Sequence, residues 1–393
     1  MIRTPAGDPE GARREHITVI AAAVLFRLIL LPTTPSLSDD IYRYIWEGGL
    51  QIQGINPYRH APSDPELIPY RDHIYERINH KELPAIYPPV MQWVFALGAL
   101  PGRSPVVMKC LFVAADLGLI LALGALLRAR GLPAARCLVY AWNPLAVVEV
   151  AGSGHNDPLP LLLLVVSTLA IIRGRPAGSA AALGLSALSK LYPISLLPLF
   201  ARRLRPAHLL LAPALMTLAY LPYLAAGGNL YRSARQYAER WRSNDSIFSV
   251  IVWSAESSGI SPVLKEWCDA LGIDSLYSQP HLVARAAAAL IALSALTWLA
   301  WRQWKSGDEP SRAIFLFTGV VLVLQPSMHP WYILWILPWL CLYPSPAWLL
   351  LTGLIPLAYL DAAWVRWVEY LPFYALLLAG LVVELPVNRR RAS

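Results

Sequence analysis

"ITVIAAAVLFRLILLPTTPSLSDDIYRYIWEGG", residues 17–49, is the stretch that decides the fold. It begins with an apolar run to Leu31 in which Arg27 is the one charged residue, and two adjacent acids, Asp39 and Asp40, follow shortly after. An apolar run of this kind is typical of a membrane helix. The charged and aromatic residues behind it predict that the chain leaves the bilayer into a polar site.

The whole sequence has the composition of a membrane protein. Of its 393 residues 56% are hydrophobic and 15% are charged, and the mean hydropathy is +0.46. Repeated apolar runs of near-spanning length therefore predict an all-α polytopic membrane protein. Much of the net charge of +8 lies in short arginine clusters between these runs, where it indicates topology rather than nucleic-acid binding.

The basic clusters orient the chain. If all of them lie in the cytoplasm, about twelve membrane helices result, with both termini inside. The clusters are Arg13/Arg14, Arg128/Arg130/Arg136, Arg173/Arg175, Arg202/Arg203/Arg205, Arg302/Lys305/Arg312 and Arg389/Arg390/Arg391. The predicted spans lie near 17–32, 105–127, 134–150, 158–172, 178–190, 191–201, 207–225, 282–304, 313–325, 331–343, 347–361 and 370–387. No small-residue cleavage site follows the first span, so an uncleaved helix is predicted there.

This topology predicts a single integral membrane domain, 1–393, with two large outer segments. The first outer loop covers 33–104, and short amphipathic helices are predicted within it near 39–52 and 70–80. The second outer segment covers 227–280. Both mix aromatic with charged residues, a composition that suits a wet cavity near lipid headgroups.

Two apolar stretches are too short for ordinary spans. Residues 87–101 fall below the ~20 residues that a crossing needs, so we expect a helix in the outer interface, with two prolines in its first turn. The 191–201 stretch is also short. We expect Lys190 and Pro193 to mark a broken or re-entrant element, which is tolerated where protein or a watery cavity covers it.

Asp39 and Asp40 are the candidates for catalysis. Ser38, Asp39 or Asp40 could cap the helix that follows, but a cap needs only one acid. A carboxylate at the boundary between lipid and water, next to a second acid, has a raised proton affinity. Such a group suits a general base for an attacking hydroxyl. Because the two acids titrate as a pair, the sequence leaves open which one holds the proton.

The motif "GSGHNDP" lies on the same predicted outer face. Asp157 precedes Pro158, a pattern typical of a helix start, so a capping role is predicted for it. It is also counted, with His155 and Asn156, among the candidate substrate-binding residues. His155 and Asn156, next to glycines, offer donors and acceptors that suit sugar hydroxyls.

Lys190 lies between apolar runs, where a cation is costly unless it faces a polar partner or reaches the interface. Besides snorkelling, we consider a role in binding an anion such as a lipid-linked phosphate. Arg27 poses the same question, and snorkelling or structural pairing is the favoured interpretation.

Two further sets could complete a polar pocket on the outer face. In "QPSMHPWY", residues 325–332, His329 and Tyr332 fit an interfacial aromatic belt as well as a substrate pocket. The other set lies near the acid pair and consists of Arg43, Tyr44, Glu47 and Tyr87. Neither CxxC nor HExxH occurs, so the sequence indicates no metal ligands and no cofactor.

The motifs "DDIYRYIWEGGLQIQGINPYRHAPSDP", "INHKELPAIYPP", "GHNDP" and "KLYP" resemble those of bacterial GT-C fold glycosyltransferases. The chain is most similar to polyprenol-phosphate-mannose-dependent mannosyltransferase-like proteins, over most of its length. The last of the four motifs adds Tyr192 to the candidate substrate-binding residues.

The resemblance implies a GT-C-like bundle in the bacterial inner membrane, with interface helices and an active site that faces the periplasm or exterior. It implies an inverting transfer of a sugar, with mannose favoured, from a polyprenyl-phosphate donor to a glycan, lipid or protein acceptor. Asp39 or Asp40 would be the base. Many family members need no bound metal, and a divalent ion stays possible.

Two alternatives come from other functional classes. A secondary transporter would bind near the bilayer midplane and often shows inverted repeats, whereas the charged residues here cluster at one predicted face. A ligase that transfers a whole lipid-linked glycan would share the broad fold and differ in its donor, because fold likeness alone does not fix function.

Overall fold

The computed structural model of the protein describes residues 9–273 and 279–389, with side chains to residue 380. The described part is built from helices, and its extended backbone makes one isolated bridge, between Ser243 and Ser327. The α-helices in chain order are α1 (Pro9–Leu30), α2 (Asp40–Ile52), α3 (His73–Arg77), α4 (Pro89–Ala99), α5 (Pro105–Ala129), α6 (Leu138–Ala141), α7 (Pro144–Val147), α8 (Pro158–Ile172), α9 (Pro176–Ser189), α10 (Leu197–Phe200), α11 (Pro206–Tyr220), α12 (Arg232–Arg240), α13 (Ile247–Ser257), α14 (Ile260–Ala270), α15 (Leu282–Ser306), α16 (Ser311–Leu324), α17 (Leu337–Leu340), α18 (Pro346–Leu354) and α19 (Val365–Arg389).

Shorter turns connect many of these helices. A π-helical turn covers Val148–Gly152. The 3-10 segments are Pro65–Tyr70, Ala134–Cys137, Tyr192–Leu196, Ala201–Arg203, Leu221–Tyr231, Pro330–Trp335 and Ile355–Leu360. Proline at the first helical position is a recurring device, because its fixed φ suits a helix start where no N–H bond is lost. It begins α4, α5, α8, α9, α11 and α18.

The predicted class, an all-α polytopic membrane protein, is confirmed, but the number of twelve spans is not. Within the described residues, three helical runs are long and apolar enough to cross a bilayer: α5, α15 and Pro206–Arg240, which joins α11, the 3-10 segment after it and α12. Together α13 and α14 are apolar enough for a fourth span or a re-entrant loop, bent by 73°. The sequence analysis had assigned that pair to the second outer segment.

Several predicted spans are broken into short pieces. The predicted 134–150 span consists of a 3-10 turn, α6, α7 and a π-helical turn. The chain also leaves helical geometry at Lys190, between α9 and a 3-10 turn that contains Pro193, so the predicted broken element is confirmed. The helices expected near 39–52, 70–80 and 87–101 are present as α2, α3 and α4, and their position on the outer face stays a prediction. Residues 274–278 of the second outer segment, and Arg390 and Arg391 of the last basic cluster, lie outside the described residues.

Buried charges tie α1 to α5. Arg27 is fully buried and its Nε donates to Asp116 Oδ2 at 2.5 Å, while Tyr140 donates to the other oxygen of the same carboxylate. The structural pairing favoured for Arg27 is therefore confirmed. Lys109, also fully buried, donates to the carbonyl oxygens of Thr33 (2.6 Å) and Gly152 (3.3 Å). These bonds hold the end of α1 and the "GSGHNDP" segment against the first turns of α5.

Candidate active site

A cavity of about 610 Å³ opens where α2, the first outer loop and the Pro330–Trp335 turn meet. Ten of the thirteen candidate site residues line it, although they come from distant parts of the chain. They are Asp39, Asp40, Arg43, Tyr44, Glu47, Tyr87, Lys190, Tyr192, His329 and Tyr332. The other three, which form the "HND" motif, do not line it. The acid pair and Lys190 therefore share one cavity, whereas His155 lies outside its lining, with its Nδ1 4.0 Å from Asp40 Oδ2.

The two acids stand at the start of α2 and share one partner. Asn79 Nδ2 donates to Asp39 Oδ1 at 2.7 Å and to Asp40 Oδ1 at 2.8 Å. Asp39 occupies the N-cap position, but its side chain makes no capping bond. Neither acid caps α2, because both carboxylates accept from Asn79 instead of from the helix backbone. Of the three candidate caps only Ser38 acts in this way, since its Oγ accepts the backbone N–H of Asp40 at 3.3 Å.

The environments of the two carboxylates differ. Asp39 is exposed, whereas 26% of the Asp40 side chain is accessible. Burial raises the pKa of Asp40, the hydrogen bond from Asn79 lowers it, and the charge of Asp39 raises it. The net effect is a carboxylate more basic than an ordinary aspartate. Asp40 also lies 4.0 Å from His155 Nδ1.

Arg43 was expected to bind substrate, but in the structure its guanidinium bonds to other groups of the protein. Its Nε donates to Glu47 at 2.6 Å, and its terminal nitrogens donate to the carbonyl oxygens of Asn79, His80 and Leu83. Arg43 is 6% exposed. A guanidinium with this many internal acceptors holds the loop at 79–83 onto α2 and has little capacity left for a phosphate.

Glu47 was also expected to contact substrate, and it too is engaged internally. One carboxylate oxygen accepts from Arg43 and the other from Gln92 Nε2 at 2.6 Å. Gln92 in turn accepts from Gln51, which accepts from the hydroxyl of Tyr223. This network joins α2, α4 and the Leu221–Tyr231 segment, so Glu47 supports the cavity wall.

Lys190 lies in the cavity wall, where it pairs with Asp157. Its Nζ donates to Asp157 Oδ1 at 2.5 Å, and Trp335 Nε1 donates to the same oxygen at 2.6 Å. Asp157 stands before Pro158 without any side-chain capping bond. The predicted capping role of Asp157 is therefore wrong. The carboxylate instead positions Lys190, whose ammonium also lies 5.7 Å from the ring of Tyr332.

His155 and Asn156 lie behind the cavity wall. Both are almost fully buried, so the expectation that they read sugar hydroxyls directly is not met in this structure. The His155 ring stacks on Trp331 at 4.0 Å, and Trp331 stacks on His329 at 4.5 Å. Burial lowers the pKa of His329 to about 4, and the charge of Lys190 acts in the same direction. His329 is therefore a neutral hydrogen-bonding group at neutral pH.

Unsatisfied polar atoms gather behind the acid pair. Within the described residues, buried atoms without a hydrogen-bond partner include His155 Nε2, both amide atoms of Asn156, Asp157 Oδ2 and Glu149 Oε2. His155 Nε2 lies 3.3 Å from Glu149 Oε2. Buried polar groups are normally satisfied, so these atoms call for a partner that the described side chains do not supply.

Aromatic residues form much of the remaining wall. The hydroxyls of Tyr44 and Tyr87 lie 3.1 Å apart, and Tyr44 stacks on Phe95 of α4. Tyr192 bonds to Thr318, and the Tyr332 hydroxyl lies 2.6 Å from that of Tyr237. Aromatic faces beside hydroxyl groups suit the alternating apolar and polar faces of a sugar ring.

Sequence reasoning missed several lining residues. Asn79, which holds both aspartates, lies in a motif that carried the family resemblance but was not singled out. Tyr237 and Trp241 lie in the second outer segment, and Trp331 lies between the candidates His329 and Tyr332 without having been one itself. No spacing rule connects these positions, because tertiary structure alone brings them together. Within the described part of the chain, no three His, Cys, Asp or Glu side chains are arranged to hold a metal ion.

Comparison with known proteins agrees with this architecture. A family model described as "Alpha-(1->6)-mannopyranosyltransferase, N-terminal domain" matches residues 4–204, and a second, described as "MptB C-terminal domain", matches residues 270–355. The first match alone covers slightly more than half of the 393 residues.

Two mycobacterial proteins are similar along most of the chain. A probable alpha-(1->6)-mannopyranosyltransferase of Mycolicibacterium smegmatis is 24% identical over 365 residues, which is 83% of this chain and 64% of that protein. An alpha-(1->6)-mannopyranosyltransferase of Mycobacterium tuberculosis is 23% identical over 388 residues, 82% of this chain and 64% of that protein. The chain thus spans less than two thirds of the length of these relatives. By the extent of the N-terminal match, the chain belongs to the alpha-(1->6)-mannopyranosyltransferase family.

Proposed function

We propose that the protein is an inverting mannosyltransferase that uses a polyprenyl-phosphate-linked mannose. The observation that carries this proposal is the convergence of the acid pair and Lys190 on one cavity of about 610 Å³. The names of the relatives support mannose as the sugar and a 6-hydroxyl as the acceptor. The large apolar share of the chain supports a lipid-borne donor, since such a donor arrives from the bilayer.

The proposed reaction is a single in-line displacement. A carboxylate of the acid pair, with Asp40 favoured by its partial burial, takes the proton of the acceptor hydroxyl. The hydroxyl oxygen forms a bond to the anomeric carbon while the bond from that carbon to the phosphate oxygen breaks. The phosphate leaves with the electron pair, and the configuration at the anomeric carbon inverts.

Lys190 is the proposed contact for the departing phosphate. Asp157 uses one hydrogen of the ammonium group, and the remaining hydrogens are available at the cavity wall. A preorganised cation stabilises charge that develops on a leaving group more than it stabilises the ground state. Arg43 is excluded from this role by its internal bonds, and His329 contributes a neutral hydrogen bond at most.

We also propose that the cavity faces the side of the membrane opposite the arginine clusters, the periplasm or exterior if the membrane is a bacterial inner membrane. We propose that the two outer segments, 33–104 and 227–280, lie on that same side of the membrane. A transporter is less well supported, because the cavity lies at one end of α5 rather than at its middle. A glycan ligase would differ only in the size of the donor.

The test is transfer by the purified chain. Radiolabelled polyprenyl-phosphate mannose and an α-1,6-linked mannose oligosaccharide are the substrates, and labelled product is measured. Asp39→Asn and Asp40→Asn are made separately, with Glu66→Gln, an exposed acid of the same loop outside the cavity, as the matched control. We expect Asp40→Asn to lose transfer and Glu66→Gln to retain it.

Full activity in both aspartate variants would remove the base assignment. Product formed only from a donor that carries a preassembled glycan would favour the ligase. Helical content and elution volume of each variant exclude misfolding as the reason for a loss.

A further inference from the structure

A second cavity lies at the other end of α5. Lys109, near the first turn of α5, contacts the segments beside the first cavity, whereas Arg130, directly after its last residue, lines the second. A helix of 25 residues is about 37 Å long, enough to cross the ~30 Å hydrocarbon core. The second cavity, of about 450 Å³, therefore opens at the opposite membrane face.

Arginine dominates the wall of this cavity. Four arginines, Arg130, Arg203, Arg302 and Arg312, face two acids, Asp308 and Glu309. This leaves an excess of positive charge in a concave site. Such a balance favours an anionic ligand, because a guanidinium presents several donors that fit phosphate oxygens.

The four arginines are not equally available. Arg130 pairs with Glu309, and Arg203 donates to the carbonyl oxygens of Gly307 and Asp308.

Arg302 and Arg312 are exposed, and neither makes a hydrogen bond or an ion pair within the described residues. Arg302 lies 5.4 Å over the ring of Trp298. Arg302 and Arg312 are therefore free to bind an anion, whereas Arg130 and Arg203 are held in place by their bonds within the protein.

The position of the cavity selects the kind of anion. Trp298, Trp301 and Trp304 of α15 are 51%, 59% and 56% exposed, and exposed tryptophans at a helix end are typical of headgroup depth. Leu299 and Leu316 add apolar surface to the cavity wall. Cationic and apolar surfaces side by side at this depth fit a lipid better than a free ion.

We propose that this cavity binds the phosphate headgroup of an anionic membrane lipid. Arg302 and Arg312 contact the phosphate, and Leu299 and Leu316 contact the start of an acyl chain. The site lies apart from the first cavity and does not depend on the proposed transferase activity.

The test measures lipid binding to the full chain by native mass spectrometry and by the shift in Tm. Phosphatidylglycerol is compared with phosphatidylcholine, and glycerol phosphate represents the headgroup without its chains. The double variant Arg302→Gln/Arg312→Gln is compared with Arg173→Gln/Arg175→Gln, which removes two exposed arginines from another loop between apolar helices.

We expect phosphatidylglycerol to bind and stabilise the wild type, and the pocket variant to bind it roughly tenfold more weakly. The control variant should bind phosphatidylglycerol as the wild type does, and phosphatidylcholine should bind weakly to all variants. Equal binding of the two lipids, or equal loss in the two variants, would overturn the proposal. If glycerol phosphate stabilised the protein as much as phosphatidylglycerol does, the ligand would be a free phosphate and not a lipid. The single variant Arg312→Gln, at an exposed and unpaired position, gives the same comparison if the double variant folds poorly.

Discussion

One amide, that of Asn79, holds both carboxylates of the acid pair. An aspartate that accepts a hydrogen bond in its charged form is easier to keep deprotonated, while burial and a neighbouring negative charge act in the opposite direction. All three influences act on Asp40. The proton affinity of Asp40 therefore depends on two neighbours, Asn79 and Asp39, that can be removed one at a time.

The two removals are expected to move the pH dependence of kcat/KM in opposite directions. A general base works deprotonated, so activity falls as pH drops through its pKa, which here lies above the ordinary aspartate value. Asn79→Ala removes a bond that lowers this pKa, so the acidic limb moves to higher pH. Asp39→Asn removes a charge that raises it, so the limb moves to lower pH. Each shift is on the order of one pH unit or less.

The profile of kcat/KM against pH for transfer checks this prediction. Asn79→Ser, which can still donate one hydrogen bond, is the intermediate control. If Asp39→Asn abolishes transfer while Asp40→Asn does not, Asp39 is the base and the assignment of Asp40 is wrong.

Lys190 is expected to matter for stability as well as for donor use. Lys190→Gln leaves Asp157, which is 1% exposed, without its cation, and we expect a loss of about 2–3 kcal/mol in the free energy of unfolding. Adding Asp157→Asn removes the second charge and should restore most of that stability. The double variant should still show a raised KM for the donor, with KM for the acceptor less affected.

Thermal unfolding and separate donor and acceptor titrations measure the two effects. A double variant with wild-type donor KM would show that the charge of Lys190 does not contact the phosphate.

Among single residues, the sequence pointed to members of the cavity wall where the energetic cost of a polar residue was visible in the sequence itself. Adjacent acids after a membrane span, or a lysine between apolar runs, are expensive and so attract attention. Arg43 and Glu47 bond to each other, and their further partners are backbone carbonyls at 79–83 and an amide on α4, so they are less available to a substrate than the sequence indicated. No pattern in the sequence indicates which carbonyls a fold will bring to a given arginine.

Among the elements, α2 and α4 pack closely against each other beside the site. A Cβ on Gly48 would lie 2.1 Å from the carbonyl oxygen of Phe95, so only glycine allows this packing. The same two helices carry the acid pair and the phenyl ring on which Tyr44 stacks. The shape of the cavity thus depends on this contact.

Gly48→Ala is expected to separate the two helices and to cost roughly 1–3 kcal/mol in unfolding free energy, as overpacking does. Gly178→Ala is the matched control, because it is an exposed helical glycine whose Cβ would meet nothing closer than 4.0 Å. Its stability should be equal to or slightly above that of the wild type. Thermal unfolding in detergent measures both, and a neutral Gly48→Ala would contradict the close packing.

Elements with clear apolar runs and proline starts were predicted well, and α8 begins and ends at the predicted residues. The failures are stretches that bend. Residues 134–150 were predicted as one span, yet Pro144 and polar residues such as Asn143 divide the stretch into short turns. The cost of leaving helical geometry is offset by partners such as Lys109, which lies far away in the chain.

For the whole molecule, the two cavities at opposite ends of α5 predict opposite membrane faces for their loops. In a Cys110→Ser background, since that thiol is exposed, single cysteines at Glu66 and Arg175 report the two sides. A membrane-impermeant maleimide added to intact cells should label Glu66→Cys and leave Arg175→Cys unlabelled until the membrane is opened. Labelling of both from outside would overturn the proposed topology.

The loop at 79–83 has a consequence for how the donor is protected. It is fastened to α2 through Arg43, and its neighbour Pro84 accepts a bond from Ser233 of α12. Asn79 belongs to the same loop, so any opening that lifts this strap also releases the carboxylates. If bulk water entered the cavity in this way, Asp39 and Asp40 would at the same time lose the hydrogen bonds from Asn79 that orient them. Under the proposed mechanism, access and reactivity would then be mutually exclusive, which would suppress futile hydrolysis of an activated sugar.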